Sequence, residues 1–143
     1  MAFSTIDPNL KRKIKELTLT YLDEPQPELL VAVPNPHPNQ RYEEELVYPE
    51  FTSLCPLAPS QPDYATLTIC YVPKDLITEL KSMKLYLVSY RSVEIFHEAV
   101  VGQILKDLVD CCHPIKMSVK GVFTPRGGIH TTISAEYKEP IVS

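Results

Sequence analysis

Ala65, Leu67, Ile69 and Tyr71 alternate with polar residues, and Ile129, Thr131, Ile133, Ala135 and Tyr137 do the same near the end of the chain. A period of two belongs to a strand with one buried face, so Tyr64 to Val72 and the stretch from Ile129 both predict β-strands. Met117, Val119 and Phe123 hold the same register just before the second stretch, and the glycine-containing turn Pro125 to Gly128 between them predicts a hairpin. Glu45 to Leu54 is extended in character. Joined to Tyr64 to Val72 through the proline-rich loop Cys55 to Asp63, it predicts a first antiparallel hairpin with that loop at its tip. Between the hairpins the period changes to that of a helix. Phe96, Val100, Val101, Ile104, Leu105, Leu108 and Val109 form one apolar stripe, ended by His113 and Pro114. An earlier helix is expected from Asp75, as N-cap, to about Ser92, a run without Gly or Pro. Leu10 to Leu19 fits a turn or two of helix, and Glu28 to Val33 a short strand ended by Pro34, Pro36 and Pro38.

The order strand, strand, helix, helix, strand, strand predicts an α+β fold: an antiparallel sheet with both helices on one face. Residues 1–143 are expected to form a single domain, with 1–42 as an N-terminal extension and proline-rich loop. A four-stranded sheet leaves two open edges, and assembly into a barrel would cover them.

Composition narrows the function more by exclusion than by indication. The net charge is −4 and the basic residues are scattered, which lacks the cationic footprint of a nucleic-acid binder. No apolar run approaches the roughly 20 residues that span a bilayer, and Met1 to Thr20 contains no apolar leader core, so a cytoplasmic location is expected. The four cysteines, Cys55, Cys70, Cys111 and Cys112, have neither CxxC spacing nor the pattern of a disulfide scaffold.

Four segments carry candidate chemistry. Phe51-Thr52-Ser53-Leu54-Cys55-Pro56 places a thiol at a strand end, and Gln61-Pro62-Asp63 places a carboxylate at the far end of the same loop. Converging on a small ligand, they would make a nucleophile and an acid or base; a buried, inert cysteine has the same pattern. Glu79 to Tyr86 carries Lys81 and Lys84 on one helical face, which with Arg91 form either a cationic site for a phosphorylated cofactor or an ordinary solvated surface. Phe96-His97-Glu98 opens the second helix. There a carboxylate could accept from the N–H edge of an amino-purine and a histidine could shuttle a proton, although a capping Glu and a surface His would look the same. Gly121 to Ile129 contains Arg126 beside two glycines, either an anion contact or simply a tight turn.

Taken in order, FTSLCP, QPD followed by Tyr-Ala-Thr, ELKSMKLY, FHE and FTPRGG resemble the single-module form of the 7-cyano-7-deazaguanine reductases. The resemblance runs from about Pro49 to Ile129. It implies a tunnelling fold, in which several subunits close their sheets into a barrel with active sites between neighbours. It also implies reduction of a nitrile on a deazapurine to the aminomethyl group with two NADPH, in queuosine biosynthesis, without direct contact with tRNA. Carried over by motif, Cys55 would attack the nitrile carbon to form a thioimide and Asp63 would act as proton donor. His97 and Glu98 would meet the deazapurine, with His97 also among the catalytic groups, and Thr78, Glu79 and Leu80 would line the same pocket. Lys81, Lys84, Ser89, Arg91 and Arg126 would hold NADPH, and no metal is implied. The family usually carries Thr-Gly before Gln-Pro-Asp, whereas this chain reads Pro59-Ser60 there and is one residue longer. Its loop must therefore bend differently to keep Asp63 near Cys55.

Two other readings use the same residues. A zinc-dependent cyclohydrolase of the same fold would draw ligands from Cys55, Cys111, Cys112, His97 and His113. A purine-binding or structural oligomer that had lost catalysis would keep the fold and show an unreactive Cys55.

Overall fold

The computed structural model describes residues 6–20 and 23–141. Part of the segment read as lacking a leader core, residues 1–5, lies outside them. Strands β2 (Glu44–Cys55), β3 (Ala58–Val72), β5 (Lys116–Arg126) and β6 (Ile129–Lys138) form one antiparallel sheet in the order β2-β3-β5-β6. The two hairpins are thus joined through β3 and β5, the two strands with the clearest apolar alternation. Leu67, Ile69, Val119 and Met117 lie on the covered face and are essentially inaccessible to solvent. Each such side chain contributes about 1.5–3 kcal/mol by leaving water.

Helices α2 (Leu80–Val88) and α3 (His97–Cys112) cover this face and share one core with it. The apolar stripe of α3, with Val100, Val101, Ile104 and Leu108 fully buried, is the one its periodicity predicts. His113 ends α3 in the left-handed region (φ 47°), its N–H donating to the Val109 carbonyl at 2.9 Å, and Pro114 prevents continuation. Close approach of α3 depends on Gly121. A Cβ there would stand 2.9 Å from the Phe123 ring and 3.1 Å from Val101.

Three expectations are corrected. Asp75 does not cap a helix, because Leu76–Thr78 forms a short strand, β4, against β1 (Ala32–Pro34). Helix α2 starts later, with Glu79 as its N-cap accepting from the N–H groups of Lys81 (2.8 Å) and Ser82 (2.7 Å). The helix also ends at Val88, and Ser89–Ser92 tighten into a 3-10 turn. Second, Glu28 to Val33 is not one strand: Pro27–Leu29 is a 3-10 turn, and extended structure begins only at Ala32. Third, Cys55 to Asp63 is mostly strand. The β2-β3 turn is confined to Pro56 and Leu57, and the register jumps from Leu54 opposite Pro62 to Cys55 opposite Ala58. Pro59, Ser60 and Gln61 bulge out in between, and a bulge accepts prolines because it needs no ladder N–H. The N-terminal helix is present as α1 (Pro8–Glu16), with Asp7 accepting from the Asn9 N–H at 2.7 Å.

Candidate active site

The sheet ends where the two hairpin tips meet the start of α3, and a cleft of about 280 Å³ opens there, lined by Cys55, Pro56, Asp63, Phe96, His97, Glu98 and Arg126. Backbone pairing brings these parts together. The Leu54 N–H donates to the Val93 carbonyl (2.9 Å) and the Ile95 N–H to the Leu54 carbonyl (3.0 Å), so the segment before α3 lies along the end of β2. That pairing sets Phe96 and His97 next to Cys55. Asp63 faces Ser53 across the β2-β3 ladder, and Cys55 follows Ser53 by two residues, the period that returns a strand to the same face.

Asp63 is the electrostatic centre of the cleft. It is only 5% exposed, yet both carboxylate oxygens face cationic or donor groups. His97 Nε2 lies 3.2 Å from Oδ2, and Arg126 Nη2 lies 2.6 Å from Oδ1. A buried carboxylate is stable in the fold only when paired in this way. The imidazole of His97 is fixed by stacking on Phe123, with centroids 3.8 Å apart and planes 12° from parallel. One face of the ring is thus against Phe123 while its Nε2 edge points to Asp63. Glu98 is exposed in the first turn of α3, where the helix dipole favours a negative charge and leaves the carboxylate ready for donors from a ligand. The exposed ring of Phe96 adds an apolar wall.

Arg126 reaches Asp63 because of the β5-β6 turn. Gly127 and Gly128 both have positive φ (55° and 80°), the two-residue hairpin turn that glycine favours. A register shift between Phe123 and Arg126 marks a bulge just before it. Besides Asp63, the guanidinium donates to the Gln61 side chain (Nη1 to Oε1, 2.6 Å), the Gln61 carbonyl (2.8 Å) and the Pro62 carbonyl (3.1 Å).

The remaining predicted site residues lie elsewhere in the chain. Thr78 sits by the last turn of α3, its Oγ1 buried beside Cys111 and Cys112. His97 begins that helix, and 16 residues rise about 24 Å. Thr78, Glu79 and Leu80 are therefore a helix length away from Cys55. Glu79 spends its carboxylate on capping α2, and Leu80 is 55% exposed. Lys81 Nζ donates to the carbonyls of Ile14 (2.9 Å) and Lys15 (3.0 Å), closing the end of α1. Lys84 and Arg91 are exposed. Ser89 is fully buried, its hydroxyl donating to the Tyr86 carbonyl and accepting from the Gln26 N–H at 3.3 Å. It presents no atom to a ligand and is withdrawn as a cofactor contact.

The cysteines separate in the same way. Cys55 lines the cleft, whereas Cys111, Cys112 and His113 close α3 at its opposite end. Burial pushes the Cys112 thiol up to about 11 and raises that of Cys111 as well. The ligand set that a zinc site would need is thus split between the two ends of one helix, and among the described residues no group of three or more His, Cys, Asp or Glu is placed to hold a metal ion. No helix among the described residues is long and apolar enough to cross a membrane. Two contributors escaped sequence reasoning: Phe123, the ring beneath His97, and Gln61, the anchor of Arg126. Both stand inside noted motifs, but only their tertiary partners show what they do.

Residues 62–141 match a family model described as QueF-like protein. The match takes in Asp63, His97, Glu98 and Arg126 and begins after Cys55. An NADPH-dependent 7-cyano-7-deazaguanine reductase of Thermosynechococcus vestitus is 47% identical over 108 residues, 76% of this chain and 81% of the relative. One of Nitrosococcus oceani is 51% identical over 106 residues, covering 74% and 81%. Among solved structures, the apo form of the archaeosine synthase QueF-Like superposes with a TM-score of 0.58 at 20% identity, over 71% of this chain and 95% of that one, a likeness of fold.

Proposed function

This chain belongs to the family of NADPH-dependent 7-cyano-7-deazaguanine reductases, and we propose that it reduces the nitrile of 7-cyano-7-deazaguanine to the aminomethyl group through a thioimide on Cys55. The observation that carries this reading is the convergence of Cys55, Asp63 and His97 on one cleft, from three separate stretches of chain. As the Cys55 sulfur bonds to the nitrile carbon, the thiol proton passes to Asp63 and from there to the nitrile nitrogen, turning the triple bond into the C=N of a thioimide. Asp63, with its oxygens facing donors, begins as the proton acceptor and becomes the donor that motif carry-over assigns to it. Later proton deliveries to nitrogen use the same carboxylate, refilled through His97. His97 and Glu98 face the deazapurine, Glu98 accepting from its N–H edge.

NADPH supplies the two hydrides that this reduction consumes. Lys84 and Arg91 are the residues that would hold it. Both present cationic groups at the surface, as a phosphorylated cofactor requires. Lys81 would join them only by leaving the α1 carbonyls.

The helix-length separation of Thr78, Glu79 and Leu80 from Cys55 supports an assembly in which these residues complete a neighbouring subunit's cleft. The open edges of β2 and β6 are suited to closing the sheets of several subunits into the barrel of a tunnelling fold. The reaction then takes place in the cytoplasm on a free base in the pathway to queuosine, and tRNA is not bound.

Mixing the protein with 7-cyano-7-deazaguanine and NADPH, and following nicotinamide absorbance beside a Cys55→Ala control, tests this reading. Two NADPH are expected to be oxidised per nitrile, with no turnover by the variant. An adduct without NADPH oxidation would contradict the hydride step, and the absence of both would leave a non-catalytic binding oligomer.

A further inference from the structure

We propose that Arg126 is a positioning residue for Asp63, held in place by Gln61, and that the pair fixes how the glycine-free segment Cys55 to Asp63 returns from its bulge. The inference rests on the thioimide reading above and deepens it at one residue. The motif resemblance casts Arg126 as a cofactor contact, but its terminal nitrogens are already directed inward. Nη2 reaches Asp63 Oδ1, the Gln61 carbonyl and the Pro62 carbonyl at 2.6, 2.8 and 3.1 Å, and Nη1 reaches Gln61 Oε1 at 2.6 Å. A guanidinium carries five N–H donors in a rigid plane, and the two on Nη2 are shared among three internal acceptors. A phosphate could take Nη2 only by displacing them.

What the plane grips is the bulge. Pro59, Ser60 and Gln61 have no partners on β2; the chain re-enters the ladder at Pro62 opposite Leu54, and Asp63 follows opposite Ser53. The first pair after the bulge, Leu54 opposite Pro62, lacks an N–H on the proline and does not by itself set how the chain returns. Arg126 does so from the other hairpin, binding the two carbonyls just before Asp63 and the carboxylate itself. His97, braced on Phe123, holds the second oxygen. The guanidinium and the imidazole thus approach the carboxylate from different elements, leaving its position over the cleft defined although the loop contains no glycine.

The consequence is that Arg126 acts on a step that precedes NADPH. Thioimide formation is measured without NADPH, by mixing the protein with 7-cyano-7-deazaguanine and counting Cys55 adduct by intact mass over time. Arg126→Ala is expected to slow adduct formation on the order of a hundredfold, the scale of losing a well-placed acid–base group. Arg126→Lys should recover part of the rate, since an ammonium can pair with Asp63 but cannot span the carbonyls. Gln61→Ala, which removes an exposed side chain and leaves the Arg126 and Asp63 side chains themselves unchanged, should slow it about tenfold. If Arg126→Ala forms adduct at the wild-type rate and only raises KM for NADPH, the residue is a cofactor contact and the proposal fails. If that variant does not fold, the other two decide: wild-type adduct rates in both would overturn it. Wild-type protein that forms no adduct would instead sink the thioimide reading itself.

Discussion

The two ends of α3 use similar residues for opposite purposes. At its N-terminal end Cys55, Asp63, His97 and Glu98 border an open cleft, and Asp63 pairs with His97 and Arg126. At its C-terminal end two cysteines, a threonine and, just beyond them, a glutamate and a lysine are absorbed by the fold. Cys112 is 1% exposed, Glu79 caps α2 and Lys81 closes α1. Residue type does not separate the two ends. The difference is whether the polar atoms are enclosed by the core or used by the backbone, which makes them structural, or border a cavity, which leaves them available for chemistry.

The largest effect that would sharpen this contrast is on rate. Asp63→Asn keeps the shape but removes the proton acceptor, and turnover should fall on the order of 10²- to 10⁴-fold, with the thermal midpoint changed far less than the rate. Steady-state NADPH oxidation and a melting curve on the same sample check both halves. Next is Gly121→Ala, which forces Phe123 and Val101 apart. It should cost about 1–3 kcal/mol in denaturant unfolding and lower activity too, because Phe123 carries His97. A loss of stability with unchanged turnover would show that the stack is dispensable.

Glu79→Ala breaks the other end. Loss of the N-cap should cost about 0.5–2 kcal/mol by chemical denaturation, and Glu79→Asp should restore most of it. A turnover defect in Glu79→Asp, at preserved stability, would mean that the residue also serves a neighbour's cleft. The smallest effect concerns the thiols. With its pKa pushed up to about 11 by burial, only roughly one Cys112 in ten thousand is thiolate at neutral pH, so iodoacetamide should spare it while labelling Cys55. Because the folded value lies above the ordinary value of 9.0, the native state holds this proton where the unfolded chain releases it. Its stabilising contribution is whole below pH 9 and is lost as pH rises toward about 11. The melting temperature of the wild type should therefore fall over that interval, and Cys112→Ala should flatten the fall.

Much of the sheet was legible because β3, β5 and β6 alternate cleanly, and α3 was legible because its stripe is long enough to fix a period. Strand β4 was not. Leu76–Thr78 becomes a strand only by pairing with Ala32–Pro34, more than forty positions away, and that pairing moves the helix start from Asp75 to Glu79. The prolines between Cys55 and Asp63 read as loop for a sound local reason, but a bulge absorbed Pro59 and Pro62 lies opposite Leu54 in the edge hairpin. Within the site, Cys55, Asp63, His97 and Glu98 were visible as motif residues, while the stack on Phe123 and the grip of Gln61 on Arg126 were not.

The amino-acid sequence by itself determined the hairpins, the long helix, the family and the candidate thiol and carboxylate, because periodicity and short motifs are properties of neighbouring residues. Only the tertiary structure decided which polar groups remain available. Asp63 meets Arg126 and His97 across 63 and 34 positions of chain, and whether a side chain faces a cavity or a backbone carbonyl depends on contacts that distant segments make when the core closes.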